Sequence, residues 1–200
     1  MTPSYAISTE SLSGQGLANY LSSINAVPLL SAADERELAR RYSEEQDLDA
    51  ARQLIYAHLR YVVSVARGFS GYGLPLVDLI QEGSVGLMKA VKRYDYRRDV
   101  RLVSFAVHWI KAEIYDYVVR NWRMVKVATT KAQRKLFFNL RKNRSRLGPM
   151  QASEIEQLAE KLQVDEHTVR EMETRLGGAD VSFDPILDHD DDSRSLSPAE

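Results

Sequence analysis

The stretch SFAVHWIKAEIYDYV (Ser104–Val118) decides the fold, because its apolar residues recur at helical spacing. On a wheel at about 100° per residue, with Ile110 as the core direction, Val103, Ala106, Val107, Ile114, Tyr117 and Val118 fall within about 80° of it. Phe105, His108, Trp109, Ala112 and Tyr115 fall about 100° or more away. The packing stripe is therefore complete without Phe105, Trp109 and Tyr115, which remain on a second face beside Lys111. A left-over aromatic cluster of this kind marks an interface. Burial under a neighbouring domain is the alternative.

Around this helix the charge is uneven. Lys92–Arg146 holds 16 of the 27 Lys and Arg but only 4 of the 28 Asp and Glu, a local charge of +12 inside a chain of net −1. Nine of its residues are Phe, Trp or Tyr. A polyanion responds to local charge, so the near-neutral average hides a candidate nucleic-acid surface. Cationic tracks for phosphates and aromatic faces for bases suit a single strand in particular. From charge alone, a solvated basic face over ordinary core aromatics fits equally well.

The remaining periodicity is also helical. It predicts helices over Ser31 to Glu45, Asp47 to Arg67, Pro75 to Tyr94, Thr130 to Arg146, Ser153 to Leu162 and Asp165 to Leu176. Ser31 or Asp34 is placed to cap the first, and Ser104 to cap the helix that reaches Trp122. The second is expected to turn Leu48, Ala51, Ile55, Leu59, Val62 and Ala66 to one side, and the third to bury Leu76, Leu79, Ile80, Leu87 and Val91. Gly83 and Gly86 inside the third each cost about 1 kcal/mol against Ala, which close backbone packing would explain. Asp78, Gln81 and Glu82 interrupt its apolar pattern as a small acidic and amide patch. The fold class expected is all-α: a flexible leader over 1–16, a helical domain over 17–128, a small three-helix domain over 129–178 and an acidic linker over 179–200.

Zero cysteines exclude disulfides and thiolate sites, and the four histidines (His58, His108, His167, His189) show no metal spacing. No phosphate-binding loop occurs, and Gly71-Tyr72-Gly73 lacks a third Gly and a preceding strand. His189 with Asp188, Asp190, Asp191 and Asp192 reads as an acidic tail rather than a cation site. The expectation is no enzyme, no metal and no cofactor, with no membrane span and a cytoplasmic location.

The sequence resembles the bacterial sigma-70 family of RNA polymerase initiation factors. The resemblance is carried in order by Leu59–Ala66, Asp78–Val91, Tyr96-Arg97-Arg98 and Ser104–Lys111, within a match from about Ala18 to Leu176. Within the family, Gln133–Arg141 resembles the box peculiar to heat-shock members. The resemblance implies a region 2 helical bundle followed by a three-helix region 3. It implies docking of Asp78, Gln81 and Glu82 on the clamp coiled coil of the polymerase largest subunit. Tyr94, Ser104, Phe105, His108 and Trp109 would shape a pocket for a flipped base of the −10 non-template strand. Ala112, Tyr115 and Asp116 would face the upstream part of the element, and Lys126, Lys131, Gln133 and Arg134 would track the duplex beyond it. Arg98, Lys111 and Arg123 complete the DNA-binding set. The family's heat-shock members are also controlled by chaperones and a membrane protease.

The chain departs from the housekeeping pattern. His108-Trp109 stands where that pattern has tandem tryptophans, Val100 and Leu102 where it has aromatics, and Ala112 where it has Gln. A smaller stacking set and a missing amide point to an alternative, stress-type member with a different −10 sequence. Family members also carry a C-terminal helix-turn-helix domain that reads the −35 element, whereas this sequence runs to Glu200 in the acidic stretch. A fragment with crippled promoter selection is the expectation. The competing class is a stand-alone helix-turn-helix regulator reading DNA through Ile155–Leu176, though its acids outnumber Lys161, Arg170 and Arg175. A purely protein-binding adaptor leaves the +12 stretch unexplained.

Overall fold

A computed structural model describes residues 14–143 and 150–178. The expected leader up to residue 13, the His189 cluster and the whole acidic linker lie outside the described residues. The described residues contain eight α-helices and no strand: α1 (Gly14–Ala26), α2 (Ala32–Glu45), α3 (Leu48–Arg67), α4 (Leu76–Arg93), α5 (Leu102–Asn121), α6 (Lys131–Asn143), α7 (Ala152–Leu162) and α8 (Glu166–Gly177). The chain divides into two compact units at Trp122 and Arg123, a few residues before the expected boundary at 128.

Local chemistry sets most helix ends. Ser31 caps α2 by accepting from Asp34 N, and Asp47 caps α3 by accepting from Asp49 N and Ala50 N. Pro75 occupies the N-cap of α4, where its missing N–H costs nothing. Helix α1 was not among the expected elements. Its N-terminal part falls in the stretch that composition assigns to the leader, yet Ile24 is buried.

In the first unit, α3 packs against α1, α2, α4 and α5, and α4 lies along α5. Because α3 is covered on several sides, its buried set is broader than one stripe: Ala50, Ala51, Leu54, Ala57, His58, Leu59, Val62, Val63 and Ala66. Leu48, expected inward, is exposed at the first turn, and Ile55 is half-buried. Helix α4 buries Leu79, Ile80, Leu87 and Val91 as expected, while Leu76 stays half-buried at its start.

The two glycines of α4 explain how closely the helices approach. A Cβ on Gly86 would lie 2.7 Å from Trp109 O and 2.8 Å from Ile110 Cα. A Cβ on Gly83 would lie 2.7 Å from Val62 Cγ1 and 3.2 Å from Ile114 Cδ1. The Gly86 neighbour is backbone, which cannot rotate away as a side chain can. Helix α5 is thus held against α4 at the residues that begin and end its exposed and buried faces, Trp109 and Ile110.

The cap expected from Ser104 is not the one used. Helix α5 starts at Leu102, and Ser104 lies inside its first turn. The cap comes from α2, where buried Glu35 accepts from Leu102 N at 2.7 Å and from Arg101 Nε and Nη2 at 3.2 and 3.0 Å. His58 Nε2 lies 3.6 Å from the same carboxylate and its Nδ1 bonds Leu54 O at 2.7 Å. Burial alone would raise the Glu35 pKa. The His58 and Arg101 hydrogen bonds, the Leu102 N–H and the Arg101 charge outweigh it, lowering the pKa from 4.5 to about 2.

The second unit packs α6, α7 and α8 around Leu136, Phe137, Leu140, Ile155, Leu158, Leu162, Val169 and Met172. Residues 163–165 turn α7 into α8, with Gln163 in the left-handed region at φ 51°. Lys135 Nζ donates to Leu162 O at 2.5 Å, placing a cation at the C-terminal end of α7 where the helix dipole is negative.

Two outcomes follow for stability. Gly86→Ala is expected to destabilise the chain by about 1–3 kcal/mol in urea unfolding, although Ala is the better helix former by about 1 kcal/mol. A gain in stability would mean that α4 and α5 do not approach as described. A carboxyl with a lowered folded pKa stabilises above its unfolded pKa and loses that contribution as pH falls. Glu35 should therefore account for a loss on the order of 3 kcal/mol between pH 4.5 and about 2. Glu35→Gln should flatten stability over that window, as measured by urea unfolding at each pH.

Candidate nucleic-acid interface

On the side of α5 turned from its core, three rings follow one another. Tyr94 and Phe105 have centroids 6.0 Å apart, and Phe105 and Trp109 have centroids 6.1 Å apart. Both contacts are tilted, at 46° and 54°, and Tyr94, Phe105 and Trp109 are each half-buried. Such ring pairs contribute about 0.5–1.5 kcal/mol beyond area burial, enough to fix the rings without closing them in. The wheel correctly separates this row from buried Ala106, Ile110, Ile114 and Val118. Val103, Val107 and Tyr117, expected on the core side, are half-buried.

Arg93, which sequence reading did not single out, sits over Trp109 with its guanidinium carbon 4.5 Å from the ring centroid. A cation–π contact at an exposed site is worth about 0.5–1 kcal/mol. Stacking one base is worth about 1–3 kcal/mol, so a base would gain by displacing Arg93 from that face. The displaced guanidinium would then be available to a phosphate.

The loop between α4 and α5 is tied down at several points. Tyr94 Oη donates to Val100 O at 2.6 Å, Tyr96 Oη donates to Glu44 Oε1 on α2, and the Arg97 guanidinium lies 5.5 Å from the Tyr96 centroid. Arg36 pairs with Asp99 at 3.3 Å, but both are exposed, so the pair contributes little. Arg98 is also exposed and pairs with Asp95 at 3.5 Å, a contact weak enough to yield to phosphate.

The other expected DNA-facing residues of this unit fall into two groups. Ser104, His108, Lys111 and Ala112 are exposed around the ring row. Tyr115 is exposed too, its ring edge-on to buried Phe69 with centroids 4.9 Å apart, and the Phe69 and Tyr72 centroids are 6.3 Å apart. The Gly68–Gly73 break thus supports Tyr115, a role its glycine content did not reveal. Asp116 is half-buried and engaged by Arg120 one turn along the helix.

On α4, Gln81 is exposed while Asp78 and Glu82 are half-buried. Tyr117 Oη on α5 donates to Asp78 Oδ2 at 3.1 Å. A cavity of about 450 Å³ elsewhere in this unit is lined by Leu30, His58, Arg60, Tyr61, Arg101 and Val103 among others. Arg60 Nη2 donates to Val27 O and to Asn25 O, the latter at 3.3 Å, while buried Nε has no hydrogen-bond partner among the described atoms.

In the second unit Lys126, Lys131 and Arg134 are exposed, and Arg123 Nη1 donates to Arg175 O at 3.5 Å. Gln133 is expected on the duplex. It is buried, and its Oε1 accepts from Thr129 N, Thr129 Oγ1 and Thr130 N at 3.0 to 3.1 Å. Gln133 N in turn donates to Thr130 Oγ1 at 3.2 Å. This is a capping box made by the amide oxygen. Among the described residues no group of three metal-ligating side chains occurs, and no helix is long and apolar enough to cross a membrane.

Comparison with known proteins agrees with this geometry. Residues 17–48 match the family model for sigma-70 factor region 1.2, and residues 54–124 match the model for sigma-70 region 2. The second match contains α4, the ring row and α5, and ends beside the division between the units. The chain is also 46% identical over 189 residues to the RNA polymerase sigma-C factor of Myxococcus xanthus. The chain belongs to the sigma-70 family.

This sigma-70 chain spans 64% of the length of that relative, and the match covers 92% of the chain itself. Within the sigma-70 region 2 segment, the acidic patch is on α4 and the ring row is built from the end of α4 and from α5.

The capping role of Gln133 has a local test. Gln133→Ala should cost the N-terminus of α6 about 1–2 kcal/mol and raise amide exchange at Thr129 and Thr130 roughly tenfold. Unchanged exchange at those amides would remove the capping role.

Proposed function

We propose that this chain is a sigma factor that binds core RNA polymerase and holds the opened −10 non-template strand during transcription initiation, catalysing no reaction itself. The observation that carries the reading is the Tyr94–Phe105–Trp109 row, which lies off the core of a segment matching sigma-70 region 2. Stacking on such a row competes with the few kcal/mol that unstacking a base from duplex costs. Binding energy from polymerase and phosphate contacts would supply the rest. Asp78, Gln81 and Glu82 form the polymerase side of this scheme. Ser104, His108, Lys111, Arg98, Ala112, Tyr115 and Asp116 surround the strand, and Arg123, Lys126, Lys131 and Arg134 meet the upstream duplex. The second unit is then a region 3 domain, and the place of action is the cytoplasm, where polymerase works.

We further assign the chain to the alternative, heat-shock type, on the resemblance carried by Gln133–Arg141. Leu136, Phe137 and Leu140 of that box are buried, whereas Arg134 and Lys135 are exposed, with Lys135 Nζ held by Leu162 O. Control by chaperones and a protease would accompany that type. A stand-alone regulator is disfavoured by α8, whose Arg170 and Arg175 are engaged by Glu166 and Glu171.

The test is binding of −10 non-template single strand to the complex of this chain with core polymerase. The complex should prefer that strand over a scrambled one, and equal affinity for both would contradict the reading. Trp109→Ala should weaken strand capture roughly tenfold while sparing polymerase binding, and Gln81→Ala should do the reverse. A regulator would instead shift duplex DNA with no polymerase present.

A further inference from the structure

Tyr117 joins the two faces described above. Its ring is half-buried on α5, and its hydroxyl reaches across to α4, donating to Asp78 Oδ2 at 3.1 Å. Burial, the Asp78 hydrogen bond and the charges of Asp78 and Glu82 raise the Tyr117 pKa above 10.0, so the hydroxyl stays a donor at neutral pH. A half-buried carboxylate with one oxygen held this way has lost much of its rotational freedom, while its second oxygen can still accept from a partner. The charge of that oxygen suits a lysine or, better, a guanidinium on the opposing surface.

We infer that Tyr117 is a positioning residue for polymerase docking, fixing the Asp78 carboxylate in the orientation that a cationic group on polymerase meets. This rests on the proposed docking of Asp78, Gln81 and Glu82. It has a mechanical consequence: α5 carries Phe105 and Trp109 toward the strand and, two turns later, supports the docking patch on α4. Polymerase and strand would therefore both bear on one helix.

The test uses the full chain and core polymerase, with Kd measured by fluorescence anisotropy for wild type, Tyr117→Phe, Asp78→Asn and the double variant. Tyr117→Phe keeps the ring and should leave the thermal midpoint within about 2 °C of wild type. It should raise Kd about five- to tenfold, the scale of ordering one side chain on binding. In the Asp78→Asn background the same change should add less than twofold, because the group it orients is gone. An unchanged Kd for Tyr117→Phe, or the same factor in both backgrounds, overturns the positioning role. If Asp78→Asn and Gln81→Ala both bind polymerase like wild type, the docking reading itself fails, and this inference with it.

Discussion

The approach of two backbones at Gly86 is the constraint on which the rest of the first unit depends. Any side chain there would meet Trp109 O and Ile110 Cα, which are not free to rotate aside. With hydrogen in place of Cβ, α5 settles so that Ile110 points into the core and Trp109 points out of it. The ring row is then a by-product of packing: α5 buries what it must, and the remaining rings line up along its other side. A second constraint sets the start of α5. Glu35 on α2 holds Leu102 N and Arg101, so the first turn bearing Phe105 is anchored to a helix more than sixty residues earlier. The region 1.2 and region 2 segments thus form one packed body around the candidate strand-holding surface.

The energetics favour a surface that is ordered but easily entered. Ring–ring contacts are worth about 0.5–1.5 kcal/mol and the Arg93 cation–π contact about 0.5–1 kcal/mol, whereas a stacked base offers about 1–3 kcal/mol. The rings need little reorganisation before a base arrives, and the one contact to be displaced frees a positive charge. The basic stretch also divides between the two units, since Arg93, Arg98 and Lys111 belong to the first and Lys126, Lys131 and Arg134 to the second.

Much of this was legible in the sequence where the information is local. Periodicity located α2 to α8, and Ser31 caps α2 as its position indicated. The wheel separated Ile110 and Ile114 from Phe105 and Trp109 because a 3.6-residue period needs no tertiary knowledge. Long-range chemistry was not legible. Ser104 looked like a cap because Glu35 is distant in sequence, and Leu48 looked buried because the broad packing of α3 is a tertiary property. Arg93 could not be distinguished from other cations without the position of Trp109. Gln133 is different: Thr130-x-x-Gln133 is a readable capping signature, and the resemblance to a DNA-tracking segment hid it.

The central claim is that the half-buried ring row, rather than charge alone, holds the strand. The most direct test is strand affinity of the polymerase-bound chain carrying Phe105→Leu, which keeps apolar bulk and removes the aromatic face. The account predicts a fall of roughly tenfold for the −10 non-template strand, with polymerase affinity unchanged. Strand affinity equal to wild type would contradict it and leave the surface to its cations.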